Sequence, residues 1–181
     1  MTTLTIFADD QPERVVTQTA QSSEIERLLG NAGVRFERWK AGADLAGGAD
    51  QPAILAAYHP EVDRLMTEGG YKTADVIRLK PDHPDKVALR AKFLDEHTHA
   101  EDEVRFFVEG SGAFYLHLDG KVHQIVCEKD DLLSVPAGTR HWFDMGPTPL
   151  LTCIRIFTNP EGWVAQFTGD KIASRFPKYG E

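Results

Sequence analysis

From residue 104 to residue 168 the chain breaks into short segments in which apolar and polar residues alternate. They are VRFFVE, GAFYLHL, KVHQIVCE, DLLSVP, HWFDM, LLTCIRIF and WVAQF, separated by Gly, Asp or Pro. Alternation with a period of two puts every second side chain on one face, as a half-buried β-strand requires. Short strands with turn signals every roughly eight to twelve residues build a sandwich or a barrel. Gly110-Ser111-Gly112 and Asp119-Gly120 read as hairpin turns, because tight loops demand the positive φ that glycine adopts without strain.

The residues before this run read differently. A strand is predicted over 3–7, then a helix capped by Ser22 or Ser23 and ended by Gly30, then a strand over 34–39. Residues 51–57 and 60–68 are predicted to be helical. In the second of these, Val62, Leu65 and Met66 recur at helical spacing, and Gly69-Gly70 closes it. A strand over 73–79 precedes a last helix over 85–94, with Val87, Ala88, Ala91 and Leu94 as its apolar face. The expected fold class is mainly β with N-terminal α/β elements: a jelly-roll-like β-barrel with a few flanking helices. At 181 residues one domain suffices, with 1–94 a helix-containing part packed on a barrel core of 95–170.

Charge and punctuation exclude several functions. The formal net charge is −8, and Lys and Arg are scattered singly, so a nucleic-acid partner is not expected. No apolar run approaches the roughly 20 residues of a membrane helix, and the start of the chain has no signal-peptide pattern, so a cytoplasmic protein is expected. Cys127 and Cys153 have no CxxC spacing and read as reduced core residues, with a disulfide between them the lesser alternative. No GxSxG, P-loop or GxGxxG is present. The acidic surface and the lack of a heptad make a monomer the default.

The chemistry gathers in two places. DEHTHAEDE at 95–103 gives His97, His99 and Glu103 the spacing HxHxxxE, and residues two apart on an extended chain face the same way. Downstream, PAGTRH turns the chain at Pro136 and Gly138 and delivers His141. A lone HxH is better explained as a solvated acidic loop whose histidines help turn the chain. Its company, with Gly110 seven residues beyond Glu103 and a PxGxxH further on, points to one shared metal site. Three imidazoles and one carboxylate leave an octahedral ion open positions, as iron, nickel, cobalt or manganese would use.

These segments resemble the two cupin motifs, G(x5)HxH(x3-4)E(x6)G and G(x5)PxG(x2)H(x3)N. The departures are a missing first glycine, Asp130 in place of the second motif's glycine, and Met145 in place of its asparagine. The longer strings EHTHAEDEVRFFVEGSG, CEKDDLLSVPAGTRHWFDMG and RIFTNPEGWVAQFTGD resemble the acireductone dioxygenase family of methionine salvage. The resemblance implies a cupin barrel and one Fe2+ or Ni2+, with Co2+ or Mn2+ as substitutes, on His97, His99, Glu103 and His141. It also implies oxygen-dependent cleavage of the enediol 1,2-dihydroxy-3-keto-5-methylthiopentene. With iron the products would be formate and 4-methylthio-2-oxobutanoate; with nickel, formate, carbon monoxide and 3-methylthiopropanoate.

Around the ligands, Arg105 shares the side of Glu103, and its fixed fork of donors can pair with a bound anion, although a structural arginine is the alternative. Arg155 interrupts an apolar strand and points opposite to Ile154 and Ile156; substrate or a structural carboxylate would satisfy it. Phe143, in phase with His141, and Trp163, after a Pro-Glu-Gly turn, are candidate walls for an apolar tail or plain core residues. His59, His83, His117 and His123 read as structural. The competing functions are another cupin oxygenase or isomerase, or a non-catalytic cupin binding module.

Overall fold

The computed structural model describes residues 1–40, 45, 48–159 and 163–181. Among the described residues the strands are β1 (Thr3–Ala8), β2 (Val15–Thr19), β3 (Arg35–Arg38), β4 (Thr73–Leu79), β5 (His97–Thr98), β6 (Glu103–Leu118), β7 (Lys121–Glu128), β8 (Asp131–Val135), β9 (Arg140–Asp144), β10 (Leu151–Phe157) and β11 (Gln166–Phe167). The helices are α1 (Ser22–Asn31), α2 (Gln51–Ala57), α3 (His59–Gly69) and α4 (Lys86–Phe93), with a 3-10 turn at Ile172–Arg175. No described helix is long and apolar enough to cross a membrane.

The organising element is β6. Its first half pairs with β8 and β10, and its second half with β7 and β9. Two antiparallel sheets therefore share one bent strand: β3-β8-β6-β10-β4 and β11-β5-β9-β6-β7-β1-β2. Between them lies a core that includes Phe36, Phe107, Phe114, Leu133, Phe143 and Cys153. Each fully buried large side chain in it contributes roughly 1.5–3 kcal/mol over an exposed one. Residues 1–94 supply β1 to β4 to these sheets as well as the helices α1 to α4.

The bend corrects one expectation. Gly110-Ser111-Gly112 is no hairpin turn but lies inside the continuous β6, where the register against β10 shifts between Thr152 and Cys153. A bulge of this kind reverses which parity faces inward. Phe107 points into the core on one side of it, Phe114 and Leu116 on the other. Gly110 has φ +73, and a Cβ there would lie 1.7 Å from the Leu150 carbonyl oxygen, so only glycine fits. Asp119-Gly120, with both φ positive, is the hairpin turn expected between β6 and β7.

Two helix details also differ. At α1 the residue before the helix is Gln21 and no side chain caps it; Thr19 holds the start, accepting from the Gln21 N–H and donating to Glu24. Gly30 is helical, and the chain turns at Gly33, φ +78, after Leu29 has been buried. In α4 the face against the core is Leu89 and Phe93, while Val87 is 75% exposed. The short helix is oriented by Arg90, whose guanidinium grips both oxygens of the buried Asp144. That long-range ion pair is invisible to helical periodicity. Gly70, φ +68, ends α3 as expected. Cys127 and Cys153 are buried and unpaired.

Candidate metal centre

Residues on β5, β6 and β9 meet at one end of the space between the sheets. His97 sits opposite His141 in the β5–β9 pairing, and Leu116 opposite His141 in the β6–β9 pairing, so both histidines face inward with the core. The Pro136–Gly138 turn is fastened to the first ligand segment, because Gly138 donates its N–H to the His99 carbonyl at 2.9 Å. Gly138 has φ +75, as the tight turn requires. Glu103 opens β6 on its inward parity and is 3% exposed.

Proton bookkeeping in this cluster points to a cation. Each ring nitrogen Nδ1 meets a backbone carbonyl: His97 that of Asp95 at 2.8 Å, His99 that of Val164 at 3.0 Å, His141 that of Thr139 at 2.8 Å. A carbonyl only accepts, so Nδ1 carries the proton and Nε2 is left with its lone pair. One nitrogen from each of the three rings lies within 4.8 Å of the others. The Glu103 Oε2 stands 3.0 Å from His99 Nε2 and 3.1 Å from His141 Nε2. Three lone pairs and a carboxylate converging in a buried site fit a divalent ion, which would replace an extra proton on the rings.

The electrostatics of the cluster are set by burial and by Glu103. Burial pushes the His97 imidazole down to about 4, so it is neutral and ready to ligate. Burial acts in the same direction on His99, but the Glu103 carboxylate outweighs it and raises that ring above its ordinary value. Burial would raise the Glu103 carboxyl; the Arg105 charge and the adjoining His141 and His99 rings overcome it and hold the group well below the usual carboxylate range.

The other candidates surround the ligands. Arg105 is buried, with Nε 2.8 Å from Glu103 Oε1 at an angle too poor for a hydrogen bond. Among the described residues its terminal Nη nitrogens have no hydrogen-bond partner, and its guanidinium lies 4.7 Å from the Phe143 ring and 5.4 Å from the Trp163 ring. Phe143 is buried against Phe114, and Gly112 makes room for it: a Cβ there would lie 2.5 Å from the ring's Cζ. Trp163 donates from Nε1 to the Asp102 carbonyl and packs on Phe157. The Pro-Glu-Gly turn expected before it lies outside the described residues.

Arg155 lies opposite Arg105 in the β6–β10 pairing and so shares its inward face. Its guanidinium is also 5.7 Å from Trp163. Two of its nitrogens are taken by Asp75, at 2.8 and 2.6 Å, the structural carboxylate left open by the sequence. Sequence reasoning missed Asp75: only the β4–β10 register reveals that it stands opposite Arg155. It also missed Glu96, which is 1% exposed beside His97, and Asp102, which accepts from the Tyr71 hydroxyl and the Ala137 N–H. His117 and His123 lie outside the ligand cluster.

Two facing antiparallel sheets with three histidines and a glutamate at one end define a cupin-type metal protein. The model of the ARD/ARD' family matches residues 3–165, and the chain belongs to that family. An acireductone dioxygenase of Parvibaculum lavamentivorans is 59% identical over 179 residues, 99% of this chain and 97% of the relative. One of Yersinia enterocolitica is 57% identical over 178 residues, 98% and 99% of the two chains. A solved structure, acireductone dioxygenase from Bacillus anthracis with a cadmium ion in its active center, is similar with a TM-score of 0.79. It is 30% identical and covers 92% of this chain and 98% of its own.

Proposed function

We propose that the chain is an acireductone dioxygenase that cleaves 1,2-dihydroxy-3-keto-5-methylthiopentene with dioxygen, using one divalent metal held by His97, His99, Glu103 and His141. The observation that carries this reading is the convergence of three carbonyl-tethered imidazoles, with Glu103 against two of them, beside an arginine whose Nη donors have no hydrogen-bond partner among the described residues. Bound there, the cation supplies Lewis-acid stabilisation to the oxygens of an enediolate. Arg105 orients the anion through its free N–H groups and offsets its charge. Phe143 and Trp163 wall the methylthio tail and keep water from the reacting carbons. Arg155, half committed to Asp75, keeps one terminal nitrogen for a further substrate oxygen.

Fe2+ is assigned formate and 4-methylthio-2-oxobutanoate as products, and Ni2+ formate, carbon monoxide and 3-methylthiopropanoate. The same reading takes the enzyme to be a cytoplasmic monomer, consistent with its unpaired cysteines and checked by light scattering. The test is elemental analysis of the purified protein, then anaerobic addition of acireductone followed by oxygen, with product identification. Oxygen-dependent formate with the keto acid or with carbon monoxide is expected. A metallated protein that leaves the acireductone untouched would overturn the reading.

A further inference from the structure

Of the proposed ligands carried on strands, His97 has the weakest support from the sheet, while His99, just past β5, is fastened by the Gly138 N–H on its carbonyl. β5 has two residues, pairs with β9 through one residue pair, and has as its other neighbour the two-residue β11. Glu103 and His141, by contrast, ride on strands of 16 and 5 residues in the middle of their sheets. A strand this short contributes too few backbone bonds to fix a ring within the few tenths of an ångström that coordination demands.

What holds it lies on the other side of the sheet. Glu96 points away from His97, as alternation requires, and is 1% exposed. Its Oε2 accepts from His117 Nδ1 at 2.7 Å and its Oε1 from the Thr168 hydroxyl at 2.8 Å, while the Glu96 carbonyl accepts the Thr168 N–H at 3.1 Å. His117 Nε2 in turn stands 3.3 Å from Asp9 Oδ2. The chain Asp9–His117–Glu96–Thr168 thus ties residues after β1, near the end of β6 and after β11 to the residue beside His97. A buried Glu96 carboxylate that left these donors would be uncompensated, and the buried His117 would lose its shorter partner, so the arrangement has no cheap alternative.

We propose that Glu96 is a positioning residue for the metal centre, its doubly anchored carboxylate fixing where His97 presents Nε2. The inference rests on the reading of His97, His99, Glu103 and His141 as ligands. His97 is then clamped from both neighbours, its Nδ1 by the Asp95 carbonyl and its backbone by the Glu96 side chain.

The test titrates metal-free protein with Co2+, following the visible d–d absorption well below each variant's melting temperature. Glu96→Gln keeps the shape but removes the anionic oxygen facing His117. It is expected to weaken Co2+ binding about 10–100-fold, the usual effect of an outer partner of a metal ligand, and to alter the d–d bands. Thr168→Val should act in the same direction and Thr168→Ser should bind as the unaltered protein does, which keeps the test open should Glu96→Gln fold poorly. Affinity and spectrum unchanged in Glu96→Gln and Thr168→Val, even with lowered melting temperatures, would reduce the cluster to fold glue and overturn the proposal. His141→Ala run in parallel separates the two ideas: unaltered protein that takes up no Co2+, or His141→Ala that binds it equally well, brings down the metal reading and this inference with it.

Discussion

Glu103 carries the negative charge among the four proposed ligands, and its carboxyl is held ionised by Arg105, His141 and His99 against a burial that favours the neutral acid. Glu103→Gln keeps the volume and removes the charge. Metal affinity is expected to fall by more than about 100-fold, beyond the loss seen for outer partners of a ligand, with far-ultraviolet circular dichroism unchanged. Full occupancy in this variant, measured by elemental analysis, would remove Glu103 from the site. Arg105→Lys tests the neighbour: the charge remains but the planar fork is lost, so KM for acireductone should rise roughly 10-fold at normal metal content, the worth of one charged hydrogen bond. The clustering of His97, His99, Glu103 and His141 was legible in the sequence because HxHxxxE and PxGxxH bring them together by local spacing. Asp75 and Glu96 were not, since their partners Arg155 and His117 lie 80 and 21 residues away and meet them only through strand register.

His123 shows the same limit from the other direction. It reads as structural, and it does sit inward, opposite Ile6 and Leu116, with Nδ1 lacking a partner. Burial lowers its pKa from 6.5, assisted by Lys121 and opposed by the Leu116 carbonyl and Asp119. The unfolded chain therefore binds the proton more readily than the folded one. The stability of the metal-free protein should fall as pH drops below 6.5, where the unfolded-state ring becomes protonated. His123→Leu is expected to raise the denaturation midpoint at pH 8, by relieving an unpaired group that costs about 1–3 kcal/mol, and to raise it further at pH 5. A variant whose advantage shrinks on acidification would contradict this account of His123.

At the scale of the element, the alternation between 104 and 168 exposed the strands because half-buried sheets repeat every two residues, whatever their topology. It did not expose that two of those segments are one strand. Gly110 has the positive φ that a hairpin turn uses and that this bend within one strand uses as well, and the difference lies in whether β7 to β10 wrap around the segment. The two glycines of the bend should fail differently when substituted. Gly110→Ala meets a forbidden φ and a backbone carbonyl that cannot move aside, so it should cost more than about 2 kcal/mol, seen as a lowered melting temperature. Gly112→Ala meets the end of the Phe143 ring, which can rotate toward Arg105. Its expected signature is a raised KM with a smaller stability loss. Equal losses of stability with KM unchanged would mean that Phe143 does not shape the substrate pocket.

At the scale of the whole molecule, strands from the first ninety residues pair with strands from the last ninety: β1 with β7, β3 with β8 and β4 with β10. Helix α1 contributes Ile25 and Leu29 to the core that holds Phe143, and α2 and α3 cover the outer side of β6 and β10 around Phe106 and Ile154. Neither half can bury its apolar face without the other, so the expectation is one cooperative unit over residues 1–181 rather than a barrel with a detachable cap. Calorimetry of the metal-free protein should give one transition with calorimetric and van't Hoff enthalpies in agreement. Because the proposed ligands come from β5, the residue after it, β6 and β9, an ion would bind the assembled state and not the unfolded chain. Ni2+ at about 100 times its Kd should then add about 2.7 kcal/mol and raise the single transition by roughly 5–10 °C. A scan that separates into two transitions, only one of which responds to Ni2+, would show that the strand pairings across the two halves do not couple them, and that the centre is stabilised by one part of the chain alone.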